Sequence, residues 1–154
     1  MYLWMAIFVL AITVVDQITK FMTVASIPLY DEIAVLPGLF HFTYVQNTGA
    51  AFSSFEGAMW LFALIFAVLT VAIFLEYFKF RLPFTTFDRW CIAAIYGGGL
   101  GNMIDRLRFG YVVDMIEVEF MNFAVFNVAD CFITCGCIAL IVHLAFFNKE
   151  FWKD

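Results

Sequence analysis

Two carboxylates stand apart because their neighbours are not those of solvated acids. Asp114 lies between Val113 and Met115, and Asp130 follows Phe126-Asn127-Val128-Ala129 at the edge of a long apolar run. Carboxylates brought close together resist ionising together and tend to share one proton. One can then act as general base on water while the other, protonated, polarises a carbonyl. That is amide hydrolysis without a metal. The same residues also read as the N-cap of a helix starting near Asp130 and as a solvated loop acid. From the pair alone the two readings are evenly matched.

Other polar residues in apolar surroundings bear on that choice. Asp16 and Lys20 are four apart, face the same way on a helix and can pair. In Tyr96-Gly97-Gly98-Gly99-Leu100-Gly101-Asn102, Gly97 and Gly101 have the small-xxx-small spacing that lets helices approach closely. Such an approach would hold Asn102 near the last helix. Arg106 follows one turn later on the same face, where it could tune a neighbouring carboxylate or bind a lipid phosphate. Asn47-Thr48-Gly49 reads either as a surface turn or as an amide offered to a substrate backbone.

Rival chemistries lack their residues. There is no G-x-S-x-G element and no H-E-x-x-H helix. Cys91, Cys131, Cys135 and Cys137 fall in helical stretches. Cys131 and Cys135 share a face, but no histidine is near them in sequence. They read as small packing residues, and neither a metal nor a cofactor is expected. His143 lies towards the far end of the last apolar run, remote from the acids, and reads as a helix-end polar residue.

The elements that must position these groups belong to a membrane protein. Of 154 residues, 65% are hydrophobic and only 14% charged, with a mean hydropathy of +0.96. A soluble domain carries about 25% charged residues, so the bilayer must be the solvent. Apolar runs cover Met1–Val15, Gly57–Leu75, Trp90–Ile104 and Cys131–Asn148. A spanning helix needs about 20 residues, so three of the four must include their polar flanks. Asp16, Asn102 and Asp130 are therefore expected at or inside the membrane boundary, where they are costly without a reason. The first run has no basic leader and no small-residue cleavage site, and is expected to be a retained helix.

With four spans, Lys79, Arg81, Arg89, Lys149 and Lys153 share a side with both termini, against Lys20, Arg106 and Arg108 on the other. The positive-inside rule then places the termini in the cytoplasm. The segments 23–56 and 107–126 are extracytoplasmic on this reading. Within them, Leu39–Val45 alternates with period two and Gly110–Phe120 is β-branched and extended in character. Two strands that could pair into a small sheet are expected there. Trp4, Trp60, Trp90 and Trp152 fall near helix ends, as an interfacial belt requires. A net charge of −5 argues against nucleic acid as a partner.

Taken in order, Asp16-Gln-Ile-Thr-Lys20, Asn47-Thr-Gly-Ala-Ala-Phe52, Gly97-Gly-Gly-Leu-Gly-Asn-Met-Ile-Asp-Arg106, Val112-Val-Asp114 and Phe126-Asn-Val-Ala-Asp130 resemble the lipoprotein signal peptidases (signal peptidase II) along nearly the whole chain. The resemblance implies one membrane domain over 1–154, an all-α protein of four transmembrane helices with a small extracytoplasmic β-cradle. It implies that Asp114 and Asp130 form an aspartic catalytic dyad near the extracytoplasmic face of a bacterial inner membrane. Asp16, Lys20, Asn47, Gly98, Asn102, Arg106 and Asn127 would line or support the site. The implied substrate is a prolipoprotein whose lipobox cysteine already carries diacylglyceryl, cut just before that cysteine by a monomer among membrane lipids. Globomycin-type cyclic peptides would inhibit it. Met115, Gly99 and Cys131 depart from the family's usual Phe, Ala and Ser and bear only on pocket shape and inhibitor affinity. The alternative from another class is a small proton-coupled transporter. Its pathway should carry polar residues through the full thickness, whereas here they gather on one side. A non-catalytic membrane scaffold would leave the pairing of Asp114 with Asp130 unexplained.

Overall fold

The computed structural model describes residues 1–49 and 59–153. In chain order these are helix α1 (Tyr2–Ser26), strands β1 (Glu32–Leu36) and β2 (Phe40–Asn47), helix α2 (Met59–Leu75, prolonged by a wider turn to Phe80), helix α3 (Thr86–Phe109), strand β3 (Val112–Val118) and helix α4 (Val128–Phe146). Ala50–Phe52 of the second motif lie outside the described residues.

Local chemistry explains where the helices stop. Pro28 disfavours helical backbone at the residue before it, and Ile27 is extended at φ −120° and ψ 122°. Thr85 caps α3 through a reciprocal box with Asp88, and Asn127 caps α4 through the same box with Asp130. The last turn of α3 is closed by Gly110 at φ +80°, a left-handed conformation that glycine adopts without cost.

Among the described residues, three helices are long and apolar enough to cross a bilayer: Tyr2–Ser26, Met59–Phe80 and Val128–Phe146. The 24-residue α3 has the length, but its first turns carry Asp88 and Arg89 and its last turns Asp105, Arg106 and Arg108. It lies in the middle, packed against α1, α2 and α4. Leu3, Phe21, Val68, Ile141 and Phe146 of the outer helices are exposed, while the most deeply buried large side chains are Val112, Asn127, Asp16, Asp88, Asp105 and Asp114. Polar inside and apolar outside is the arrangement a lipid solvent favours.

The glycine run on α3 faces two ways. A methyl group built on Gly97 would sit 3.1 Å from Ile12 Cβ, and one on Gly101 would collide with the Asp16 carboxylate. The Gly97–Gly101 pair therefore admits α1, not α4 as its link to Asn102 would require. It is Gly98 that admits α4: a methyl there would lie 2.5 Å from the Ala129 carbonyl oxygen.

The expected strands β2 and β3 pair antiparallel, with Val45 opposite Asp114 and Asn47 opposite Val112. A third strand, β1, adds to the free edge of β2 in the order β1-β2-β3. Three of the four tryptophans, Trp4, Trp60 and Trp152, are exposed near helix ends, whereas Trp90 packs edge-on against Phe8.

Candidate active site

The end of the bundle that carries the sheet holds a continuous polar network. At its root, Lys20 Nζ lies 2.9 Å from Asp16 and 3.0 Å from Asp105, all three buried. Asp16 also accepts the Ala129 N–H at 3.0 Å, fixing the first turn of α4 to α1. Asp105 accepts the Val113 N–H at 3.1 Å and the Gln17 amide at 2.8 Å. The backbone beside Asp114 is thereby tied to α1 and α3. Buried ions are tolerated only when paired and hydrogen-bonded in this way.

Lys20 then dictates how the amides point. An ammonium group only donates, so the Asn102 Oδ1 faces it at 2.8 Å and the Asn102 Nδ2 is turned to Asp130 Oδ1 at 2.8 Å. Asn102 Oδ1 also accepts from Asn127 Nδ2 at 3.1 Å, and the same Nδ2 donates to Asp114 Oδ1 at 2.6 Å. Asn47 Nδ2 donates to Asp114 Oδ2 at 2.8 Å. The other Asp130 oxygen, Oδ2, accepts the Asn127 N–H at 3.1 Å. Asn127 touches both carboxylates and so ties the start of β3 to the start of α4.

Asp130 is therefore not the N-cap of α4. Asn127 holds that position and Asp130 is the third helical residue, with one oxygen engaged in the cap and the other held by Asn102.

Arg106 stands close enough to Asp130, Asp114 and Asp105 for their charges to act on it. Among the described residues it forms no ion pair with Asp114 or Asp130. Its Nη2 donates to the Gly49 carbonyl at 3.0 Å and its guanidinium lies 4.1 Å from the centre of the Phe62 ring. It joins the Asn47–Gly49 turn, where Asn47 Oδ1 accepts the Gly49 N–H, to α2 and α3. Gly98 lies on the same helix as Asn102 but acts through packing, and Asp16 and Lys20 support the site from below.

A cavity of about 680 Å³ opens beside the network. Asp114, Asp130, Asn47, Asn102 and Arg106 line one part of it, and Phe62, Phe66, Leu69, Ile95 and Ile133 line an apolar part. Burial pushes the Asp114 carboxyl up to about 7, and the Asp130 charge adds to the rise against the opposing Asn47 and Asn127 hydrogen bonds. A cavity with this lining offers two braced carboxylates to a substrate whose greater part is apolar.

Sequence reasoning passed over Asp105, although it stands inside a motif, and Gln17. The signal was available at Asp105: it is one turn beyond Asn102, on the face that must meet Lys20.

In fold the chain matches a bacterial membrane enzyme solved by the in meso method at 2.3 Å resolution, with a TM-score of 0.86 at 28% identity over 97% of this chain and 92% of that one. A second bacterial membrane enzyme, solved by the same method at 1.9 Å, gives 0.80 at 29% identity over 93% of both chains. The fold and site define a helical membrane enzyme. The family model for signal peptidase II matches residues 8–146. A lipoprotein signal peptidase of Streptococcus pyogenes is 40% identical over 139 residues, or 90% of this chain and 86% of that protein. One from a Nostoc species is 44% identical over 143 residues with the same shares covered. The chain belongs to the signal peptidase II family.

Proposed function

We propose that this peptidase is an aspartic endopeptidase of the bacterial inner membrane that removes the signal peptide from diacylglyceryl-modified prolipoproteins, cutting just before the lipidated cysteine. Its dyad is Asp114 and Asp130. One observation carries the reading: both carboxylates line one cavity and are braced by amides from three elements, β2, α3 and the α4 cap.

In this mechanism the raised pKa of Asp114 keeps one proton on the pair near neutrality, and that proton is assigned to Asp114. Asp130 takes a proton from water as the water attacks the carbonyl of the residue before the cysteine. Asp114 donates to the developing oxyanion. The tetrahedral intermediate collapses as the cysteine nitrogen leaves with the proton held by Asp130 and Asp114 takes a proton back from the diol, restoring the singly protonated pair. Asn102 and Asn127 keep both carboxylates in place throughout, as positioning residues. The apolar part of the cavity receives the lipid chains and the signal segment.

The chain is one domain with α3 as a fourth membrane-crossing helix, its charged ends at the two interfaces. Both termini are cytoplasmic, the sheet is extracytoplasmic, and a single copy suffices among membrane lipids. Globomycin-type cyclic peptides compete for the same cavity. The test is a gel-shift cleavage assay in mild detergent on a prolipoprotein with and without its diacylglyceryl group. Cleavage of the lipidated form alone is expected. Equal cleavage of both forms would remove the lipid from the recognition chemistry, and no cleavage by a folded, monodisperse protein would overturn the reading.

A further inference from the structure

Away from the cavity, one face of the sheet gathers three carboxylates around a single imidazole. His41 sits on the central strand β2. Its Nε2 lies 3.0 Å from Glu117 Oε2 on β3 and 3.2 Å from Glu32 Oε2 on β1. Its Nδ1 lies 3.3 Å from Glu119 Oε1, just beyond the end of β3. Glu119 in turn accepts the Gly38 N–H at 2.7 Å, in the turn that joins β1 to β2.

Both ring nitrogens thus face carboxylate oxygens. A neutral imidazole has one N–H and one lone pair, so one of its two sides would meet a carboxylate lone pair to lone pair. Only the doubly protonated ring can donate on both sides. The charged groups facing it are Glu32 from β1 and Glu117 and Glu119 from the β3 side. No Lys or Arg shares the cluster among the described residues. Partial desolvation of the ring works against its charge, but the hydrogen bonds of Glu117 and Glu119 and the charges of Glu32 and Glu117 outweigh it. The pKa is held above the ordinary 6.5.

We propose that His41 is a proton-dependent pin of the sheet: charged, it ties β1, β2 and β3 together through Glu32, Glu117 and Glu119, and on losing its proton it leaves three carboxylates to repel one another. The pin sits at one end of the β2–β3 ladder whose other end pairs Asn47 with Val112 and Val45 with Asp114. A loosened ladder therefore reaches the site. The sign follows from linkage. The folded-state pKa lies above the unfolded one, so the stabilisation is fully present below about 6.5 and fades as pH rises through the folded value.

The test is made in the Asp114→Asn protein, which removes the carboxyl raised to about 7. Thermal unfolding and backbone hydrogen exchange of β1, corrected for intrinsic rates, are measured at pH 5.5 and 8.5 with and without His41→Gln. Without His41→Gln, the higher pH is expected to lower Tm by about 2–4 °C and to speed exchange at Ile33–Val35. With His41→Gln both changes shrink to less than half. Glu117→Gln, a milder change on a partly exposed side chain, is expected to reduce the pH effect in part. Equal pH dependence in all three proteins would overturn the proposal. So would a chelator that lowers Tm as much at pH 5.5 as at pH 8.5, since a bound cation would then be the pin. Neither readout depends on peptidase activity.

Discussion

One carboxylate anchors a hydrogen-bond network at the end of the bundle opposite the sheet and two stand side by side at the sheet end, and the ends differ in what is left unsatisfied. At the end opposite the sheet, Asp88 accepts from four donors: Thr85 N–H at 2.7 Å, Thr85 Oγ1 at 2.9 Å, His143 Nδ1 at 2.7 Å and Asn148 Nδ2 at 2.8 Å. Asn148 also donates to the Pro83 carbonyl, so Asp88 locks the start of α3 to the end of α4. At the sheet end, Asp114 and Asp130 accept two hydrogen bonds each among the described residues and face a cavity. A carboxylate has about four lone-pair sites. Asp88 has filled them with protein, whereas Asp114 and Asp130 keep room for water and a substrate carbonyl. Counting the donors thus separates a structural clamp from the proposed reactive pair.

The largest effect that comparison predicts is on turnover. Asp114→Asn and Asp130→Asn should each lower the single-turnover rate by roughly 10³-fold or more, as loss of a general acid–base group does. The double variant should be no slower than either single one, because groups that act as a unit are not additive. A double variant slower by the product of the two factors would break the pair into independent contributors.

Stability should respond in the opposite order. Asp88→Ala leaves His143, Asn148 and the α3 cap without their acceptor and should cost on the order of 3 kcal/mol, read as a lowered Tm in detergent. Turnover per folded molecule should stay within about threefold, the residue being remote from the cavity. Gly98→Ala should come next, at about 1–3 kcal/mol of overpacking, because its methyl group meets the Ala129 carbonyl. It should also slow turnover, since Ala129 is the residue before Asp130.

The smallest effect sharpens the pair itself. The Asp114 pKa is raised in the folded state to about 7 from 3.8. Its contribution to stability is therefore present in full below about pH 4 and is lost as pH rises through 7. Wild-type Tm should decline across that window, and Asp114→Asn should flatten the decline. Turnover should fall above neutrality as the pair loses its shared proton. A wild-type Tm that rises from pH 4 to pH 7 as far as that of the variant would contradict a buried, proton-retaining Asp114.

How much of this was legible beforehand depended on whether the signal was local. Strands β2 and β3 announce themselves through alternation and β-branched residues, and Asn47, Asn102, Asp114, Asn127 and Asp130 stand in motifs whose order matches the family. Strand β1 did not announce itself. All five of its residues are exposed, and a bulge between Ala34 and Leu36 breaks its alternation. His143 was legible as a helix-end residue, but its partner Asp88 lies 55 residues away, and no local pattern encodes that meeting. Arg106 was legible as a fixed cation near the carboxylates, but its hydrogen-bond partner was not. Its acceptor is a backbone carbonyl, and carbonyls carry no sequence signature. The direction faced by Gly97 and Gly101 was likewise settled by α1, where Ile12 needs the space left by the first and the Asp16 carboxylate that left by the second.

The most direct test of the central claim sets one variant from each end side by side: single-turnover cleavage of a lipidated prolipoprotein by Asp114→Asn and by Asp88→Asn, with the folded fraction of each measured. The predicted result is negligible product from the first at unimpaired folding, and near-wild-type product per folded molecule from the second. Wild-type cleavage by Asp114→Asn would contradict the account, because it would place the reactive carboxylate elsewhere.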